Sequence, residues 1–225
     1  MNNRNLDLLT EQWDRRKFLT GVGLGAAAFL VPGAYAESLS LTPRQTEGPF
    51  YPNKLPLDTD NDLLIINDSI NPAKGEVTHL TGTVRNVNGS AVRNALVEIW
   101  QVGANAGYLH TGDNRHAQRD QNFQGYGRFS TDSQGRFYFR TVKPVPYPGR
   151  TPHIHAAVSQ KGQRMLTSQC YVAAEKERNA KDGIYRRIGA EGQKLVTLDF
   201  KTMADSPARE LAAHWDIVIG LTPEG

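Results

Sequence analysis

The 225-residue chain has a single cysteine, Cys170. No internal disulfide can form, and zinc sites built on several thiolates are excluded. Any metal must be held by His, Tyr or carboxylate side chains. Dense runs of lysine and arginine are missing too, and the formal net charge is only +3. Charge therefore lends no support to nucleic-acid binding. No internal repeat or low-complexity tract stands out beyond the N-terminal segment. Acidic residues are absent from the whole stretch 133–174, although the chain holds 23 of them. Chemistry centred there has no local carboxylate, which argues against the ferrous triad of two histidines and one carboxylate.

What is present begins with a leader-like N-terminus. Arg15-Arg16-Lys17 precedes a weakly apolar run from Phe18 to Val31, and Ala34-Tyr35-Ala36 follows as a small-x-small cleavage site. The run is too short to span a bilayer, and the three regions read as a secretory signal over residues 1–36. The paired arginines and the Gly/Ala-rich core give it a twin-arginine character. The alternative is a short buried helix after a basic turn. The expectation is export, to the periplasm by the twin-arginine route, with no membrane association once the signal is cleaved. The mature domain would be residues 37–225, with a net charge of +2.

Residues 37–78 are rich in Pro, Asn, Asp and Thr and read as irregular wrapping chain. From His79 the pattern turns to short strands. Leu80–Val87 is strand-like, Asn88-Gly89 predicts a hairpin turn, and a strand resumes from Ala91. Ala95–Trp100 reads as a central strand. Asp132–Gly135 is another turn, leading into Arg136–Arg140, which alternates polar and aromatic residues. Further strands are expected near 154–159, 166–172, 194–200 and 214–219, with one helix between about Ala173 and Arg187. The fold class is all-β: a β-sandwich of mostly antiparallel strands with irregular wrapping loops and at most a short helix. Cys170, in an apolar-leaning run, is expected to be buried.

The informative stretch is Tyr147-Pro148-Gly149-Arg150-Thr151-Pro152-His153-Ile154-His155. His-x-His on a strand puts both imidazoles on one face, because side chains alternate with period two. Two adjacent imidazoles make a metal chelate. By itself the pair is equally a core or surface accident. Tyr147 lies six residues upstream between two prolines, which fix its backbone. Phenolates are hard anionic donors, and two of them favour Fe(III) over Fe(II). Singly, Tyr108 reads as a loop or core aromatic, Arg150 as a solvated charge, Gln169 as a strand residue, and Thr46–Tyr51 as a Gly-Pro turn. His79, His110, His116 and His214 carry no assignment.

Taken together, these segments resemble the intradiol aromatic-ring dioxygenase family. The likeness runs through Gly125–Asp132, Gly135–Pro144, Tyr147-Pro148 and His153-Ile154-His155. It extends outward to Thr46–Tyr51, to Asn94–Gln101 with Ala106-Gly107-Tyr108, and to Trp215–Val218. The nearest branch is the iron-bearing β-type subunit of the protocatechuate 3,4-dioxygenases. The resemblance implies one Fe(III) held by Tyr108, Tyr147, His153 and His155. It implies Arg150 facing the substrate, Gln169 behind it, and Gly48, Pro49 and Tyr51 near the mouth of the site. It further implies cleavage of a catechol-type diol by dioxygen, with Tyr147 as the displaceable ligand and a cis,cis-muconate-type product. Related enzymes assemble, which leaves a homo-oligomer open. Two features depart from the protocatechuate branch: the loop Tyr147–Arg150 is shorter, and Gly149 replaces a bulky tryptophan. Both reshape the pocket, so protocatechuate is not implied as the substrate. Two other readings use the same residues. One is a non-catalytic exported module that binds aromatics or metal, and the other is a zinc hydrolase on His153 and His155, which lacks a third ligand at close spacing.

Overall fold

The computed structural model describes residues 38–67 and 71–220. The leader expected at 1–36 lies outside the described residues. Two mixed sheets pack face to face. The four-stranded sheet holds β1 (Val77–Asn86), β4 (Arg136–Val142), β8 (Lys201–Thr202) and β9 (Leu211–Ile219), in the order β4-β1-β9-β8. The five-stranded sheet holds β2 (Leu96–Trp100), β3 (Tyr126–Ser130), β5 (His153–Gln160), β6 (Gln163–Val172) and β7 (Thr197–Leu198), in the order β3-β2-β5-β6-β7. Pairing is antiparallel except for β1 with β9 and β6 with β7.

Period-two alternation builds the core between the sheets. Leu80 and Val84 of β1, Phe137 and Phe139 of β4, Val97 and Ile99 of β2, and Ile154 and Val158 of β5 all belong to it. Gly82 is required there. A Cβ at this position would stand 2.0 Å from the Trp215 carbonyl oxygen and 2.4 Å from the Phe137 ring. Cys170, paired with Ile154 across β5 and β6, is fully buried, and burial pushes its thiol up to about 12.

The five-stranded sheet also buries its other face. Trp100, Tyr108, Tyr126 and Ala157 form a second apolar cluster there, with Phe50, Tyr51 and Tyr147 packed against it. The cover is the irregular chain ahead of β1 and the long loops after β2 and β4. The Gln45 N–H donates to the Thr167 carbonyl at 2.9 Å, and the Thr42 N–H to the Val218 carbonyl at 3.0 Å, tying the wrapping chain down.

Three expectations require correction. The Asn88-Gly89 turn forms, but its hairpin stops at one bridge, Arg85 to Ala91. Val92 and Ala95 are buried core residues, and Asn94 takes a left-handed φ of 55°. The chain therefore crosses to the other sheet and begins β2 at Leu96. The single helix expected over 173–187 is instead a set of three: α1 (Lys176–Lys181), α2 (Gly183–Arg187) and α3 (Gly189–Val196). Asp182 breaks the run by capping α2 through the Ile184 and Tyr185 N–H groups. The strand expected over 194–200 reduces to Thr197–Leu198, because α3 continues to Val196.

Candidate metal centre

β5 is the keel of the site. Its residues 153–158 are all buried, which is the mark of a strand covered on both faces. Ile154, Ala156 and Val158 point into the sandwich. His153 and His155 point the other way, under the wrapping chain. Neighbouring strands set their surroundings by register: His155 stands opposite Trp100 on β2 and Gln169 on β6, and His153 opposite Tyr171. The Trp100 ring stacks on the His155 ring, with centroids 4.8 Å apart and planes 10° apart.

The loops deliver two phenols to the same point. Tyr108 follows β2 on a loop held by Asp113, whose carboxylate accepts the Tyr108 backbone N–H at 2.7 Å. Tyr147 sits in a tight turn closed by the Arg150 N–H donating to the Tyr147 carbonyl at 2.9 Å. The Tyr108 Oη lies 3.1 Å from His155 Nε2, 3.4 Å from His153 Nε2 and 3.5 Å from Tyr147 Oη. The two Nε2 atoms are 3.1 Å apart.

Three observations fit this cluster to a metal ion. Metal–ligand bonds of about 2.0–2.2 Å, at right angles or slightly wider, separate neighbouring donors by about 3–3.5 Å. The spacing found here is of that size. His153 Nδ1 lies 2.6 Å from the Thr151 carbonyl; donating there leaves the Nε2 lone pair directed at the cluster. Charge is the third. Burial, reinforced by Arg150, pushes His153 down to about 3, and burial with His153 beside it holds His155 well below its ordinary value. Both imidazoles are neutral at physiological pH. Burial and the Tyr147 phenol push Tyr108 well above the usual tyrosine range, so its phenolate requires a cation beside it. Among the described residues no group of three or more His, Cys, Asp and Glu side chains gathers as a metal cage. The tyrosines distinguish this centre from thiolate and carboxylate sites.

Arg150 lies at the rim of the cluster. Its Nε donates to Asp182 Oδ2 at 2.7 Å, its Nη2 to Gln169 Oε1 at 2.5 Å, and its Nη1 to Tyr147 Oη at 3.5 Å. Burial opposes the charge, but the Asp182 hydrogen bond and ion pair outweigh it and raise the guanidinium above its ordinary value. Gln169 also accepts from the Tyr171 hydroxyl at 3.1 Å and donates to the Thr46 carbonyl at 2.9 Å. A Cβ on Gly48 would stand 3.5 Å from His155 Cε1, so this glycine lies against the imidazole edge. Pro49 is exposed. Tyr51 stands away from the donors, edge-on to Trp100, with its hydroxyl donating to Glu98 Oε1 at 2.7 Å.

Sequence reasoning missed Asp182, the Trp100 stack and the Phe50 ring, which lies 5.1 Å from the Tyr108 ring. It also missed Glu98, which is buried on the same sheet face. Glu98 accepts from Tyr51, Tyr126 and Arg164 at 2.7, 2.6 and 3.0 Å. Period-two alternation, which puts Glu98 on the same face as Trp100 in Glu98-Ile99-Trp100, was the available signal for the covered face.

The Dioxygenase_C family model, described as dioxygenase, matches residues 46–220, which include every site residue named above. Sequence comparison matches the chain to protocatechuate 3,4-dioxygenase and catechol 1,2-dioxygenase chains. The chain belongs to the intradiol dioxygenase family. Over 106 residues it is 41% identical to a protocatechuate 3,4-dioxygenase β chain of Burkholderia cepacia, covering 43% of this chain and 45% of the relative. Over 183 residues it is 30% identical to a catechol 1,2-dioxygenase of Acinetobacter baylyi, covering 70% of this chain and 56% of the relative. The chain thus spans about half the length of these curated intradiol relatives. Among solved structures, the dioxygenase domain of a dioxygenase–carbohydrate-binding fusion from Streptomyces superposes with a TM-score of 0.63. That likeness covers 81% of this chain and 100% of that one at 24% identity, and it shows a shared fold.

Proposed function

We propose that the protein cleaves a catechol-type diol with dioxygen between the two hydroxyls, at one Fe(III) held by Tyr108, Tyr147, His153 and His155. Both oxygen atoms enter the product, a cis,cis-muconate-type dicarboxylic acid. The observation that carries this reading is the convergence of the Tyr147 phenol and two neutral imidazoles on the Tyr108 hydroxyl, at 3.1–3.5 Å, on a covered sheet face. Family membership supports it.

Bound Fe(III) would supply Lewis acidity, acidifying the diol hydroxyls and activating the ring toward dioxygen. The protein's own groups do the rest. Tyr147 is half-buried at the rim, whereas Tyr108 is enclosed. Tyr147 would therefore be the donor that yields to incoming substrate, and its oxygen would accept one diol proton. The second diol proton would leave to solvent, since both imidazoles would be engaged as ligands and neither is free to act as base. Arg150 faces the negative charge that develops on the ring, a role strengthened in a water-poor site. Gln169 holds the guanidinium from behind. Trp100 and Phe50 keep water from the donor atoms. Residues 1–36 act, on this reading, as a twin-arginine leader that delivers the folded protein to the periplasm.

A visible spectrum of the iron-loaded protein, paired with metal analysis, tests the proposal. A red-brown tyrosinate-to-iron band should shift when catechol is added under nitrogen, and oxygen should then be consumed. A colourless protein after iron reconstitution would overturn it.

A further inference from the structure

Asp182 is 32 residues from Arg150 in sequence and begins a helix that contributes no donor to the cluster. Its side chain is nevertheless fully enclosed. Both carboxylate oxygens are in use. Oδ1 accepts the Ile184 and Tyr185 N–H groups at 2.9 and 3.0 Å. Oδ2 accepts Arg150 Nε at 2.7 Å and the Thr151 N–H at 3.1 Å. One oxygen thus caps α2, and the other faces the site.

The second oxygen governs two things at once. A guanidinium is a planar fork, and fixing two of its nitrogens fixes the plane. Asp182 takes Nε and Gln169 takes Nη2, so Nη1 alone is left on the side of Tyr147 Oη. Turning the fork would break both anchors. The same oxygen holds the Thr151 peptide, whose carbonyl lies 2.6 Å from His153 Nδ1. The Thr151 hydroxyl donates to the buried Asn179 Oδ1 at 2.6 Å, which locks that peptide to α1. The helical segment beyond β6 therefore sets both the arginine and the peptide that orients one imidazole.

We propose that Asp182 is the positioning residue of this centre: it aims Arg150 Nη1 at the substrate face and touches neither metal nor substrate itself. The inference rests on the role given to Arg150 under the proposed function. Carboxylates that support a ligand or a catalytic cation from behind change turnover without contacting the reacting atoms.

Asp182→Ser separates the two duties. Serine is a good N-cap, so α2 keeps its start, but its short side chain cannot reach Arg150. Asp182→Asn, closer in volume, is the second variant should the first fail to fold. It presents one acceptor where two opposite faces each require one. The first readout is hydrogen exchange of the Arg150 Nε–H by NMR, assigned with Arg150→Lys. It is recorded on the full chain without metal and with diamagnetic gallium(III). Exchange should become at least about tenfold faster once the charge-assisted bond is gone. The second readout is steady-state oxygen uptake with catechol by the iron-loaded protein. kcat and kcat/KM should fall together by about tenfold or more, with KM within about threefold and iron retained, as expected for an interaction made in the transition state. Unchanged Nε–H exchange overturns the proposal, as does faster exchange with unchanged kcat. A wild-type iron protein that consumes no oxygen with catechol sinks the functional reading instead. The exchange comparison still decides whether Asp182 anchors Arg150.

Discussion

Histidines stand on the outer faces of both sheets, and the two faces treat them oppositely. On the four-stranded sheet, β1 alternates buried and half-buried residues in the manner of a strand with one face near water. His214 there meets a carboxylate, with Nε2 at 3.1 Å from Asp216 Oδ1, and this hydrogen bond raises its pKa. His79 likewise lies 3.2 Å from Glu210 Oε2. On the five-stranded sheet, β5 is buried on both sides, and His153 and His155 meet no carboxylate. Burial there pushes His153 down to about 3. Strand geometry and residue type are the same in both places; cover and company differ. The Asp216 carboxylate favours the protonated form of half-exposed His214, whereas burial beside an arginine favours the neutral form of His153.

That contrast can be broken, and the largest effect should come from the covered face. His155→Ala removes a donor that no neighbouring carboxylate replaces. Iron content after reconstitution should fall below about a tenth of wild type, read by metal analysis. Full activity in this variant would remove His155 from the ligand set. Arg150→Ala leaves the four donors in place. The coloured iron protein should form, with catechol turnover reduced about 10²- to 10³-fold. Turnover equal to wild type would exclude Arg150 from the chemistry.

Glu98→Ala attacks the cover rather than the centre. It strands the Tyr51 and Tyr126 hydroxyls and one nitrogen of Arg164, and should cost about 2–3 kcal/mol in urea unfolding. A loss under about half a kcal/mol would mean the covering segment is held by its apolar contacts alone. The smallest effect belongs to the open face. His214 has a raised folded pKa, so its pairing contributes stability fully below its unfolded value near 6.5 and loses it as pH rises through the folded value. His214 is half-exposed, so the contribution should stay under about 1 kcal/mol. Asp216→Asn should return the His214 imidazole titration, followed by NMR, toward 6.5. An unmoved titration would refute the pairing.

Much of this arrangement is legible in the chain because it is local. Period-two alternation puts His153 and His155 on one face whatever sheet receives them. Turn residues mark most strand ends, which suffices for a β-sandwich. Tyr108 was legible only through family resemblance, since nothing local in Gly107-Tyr108-Leu109 aims the ring at β5. Elsewhere local signals lost to tertiary ones. Asn88-Gly89 is a strong turn, yet burial of Val92 and Ala95 draws the chain into the opposite sheet. Residues 189–196 form a helix although Leu195, Val196 and Leu198 look strand-like. Asp182 falls inside the single helix expected over 173–187; its duty toward Arg150 depends on a register that brings β5, β6 and α2 together. Trp100 becomes a shield for His155 only because the β2–β5 ladder sets the two rings side by side.

Cys170 turns this architecture into a clock. The thiol sits between Gln169 and Tyr171 on the strand that backs the centre, enclosed and held far from its reactive thiolate form. A maleimide can reach it only after β6 has parted from its neighbours, so the alkylation rate counts those openings directly. Being the only sulfhydryl in the chain, it gives one unambiguous signal. Labelling with and without bound metal and diol would time how firmly each ligand keeps the sandwich shut.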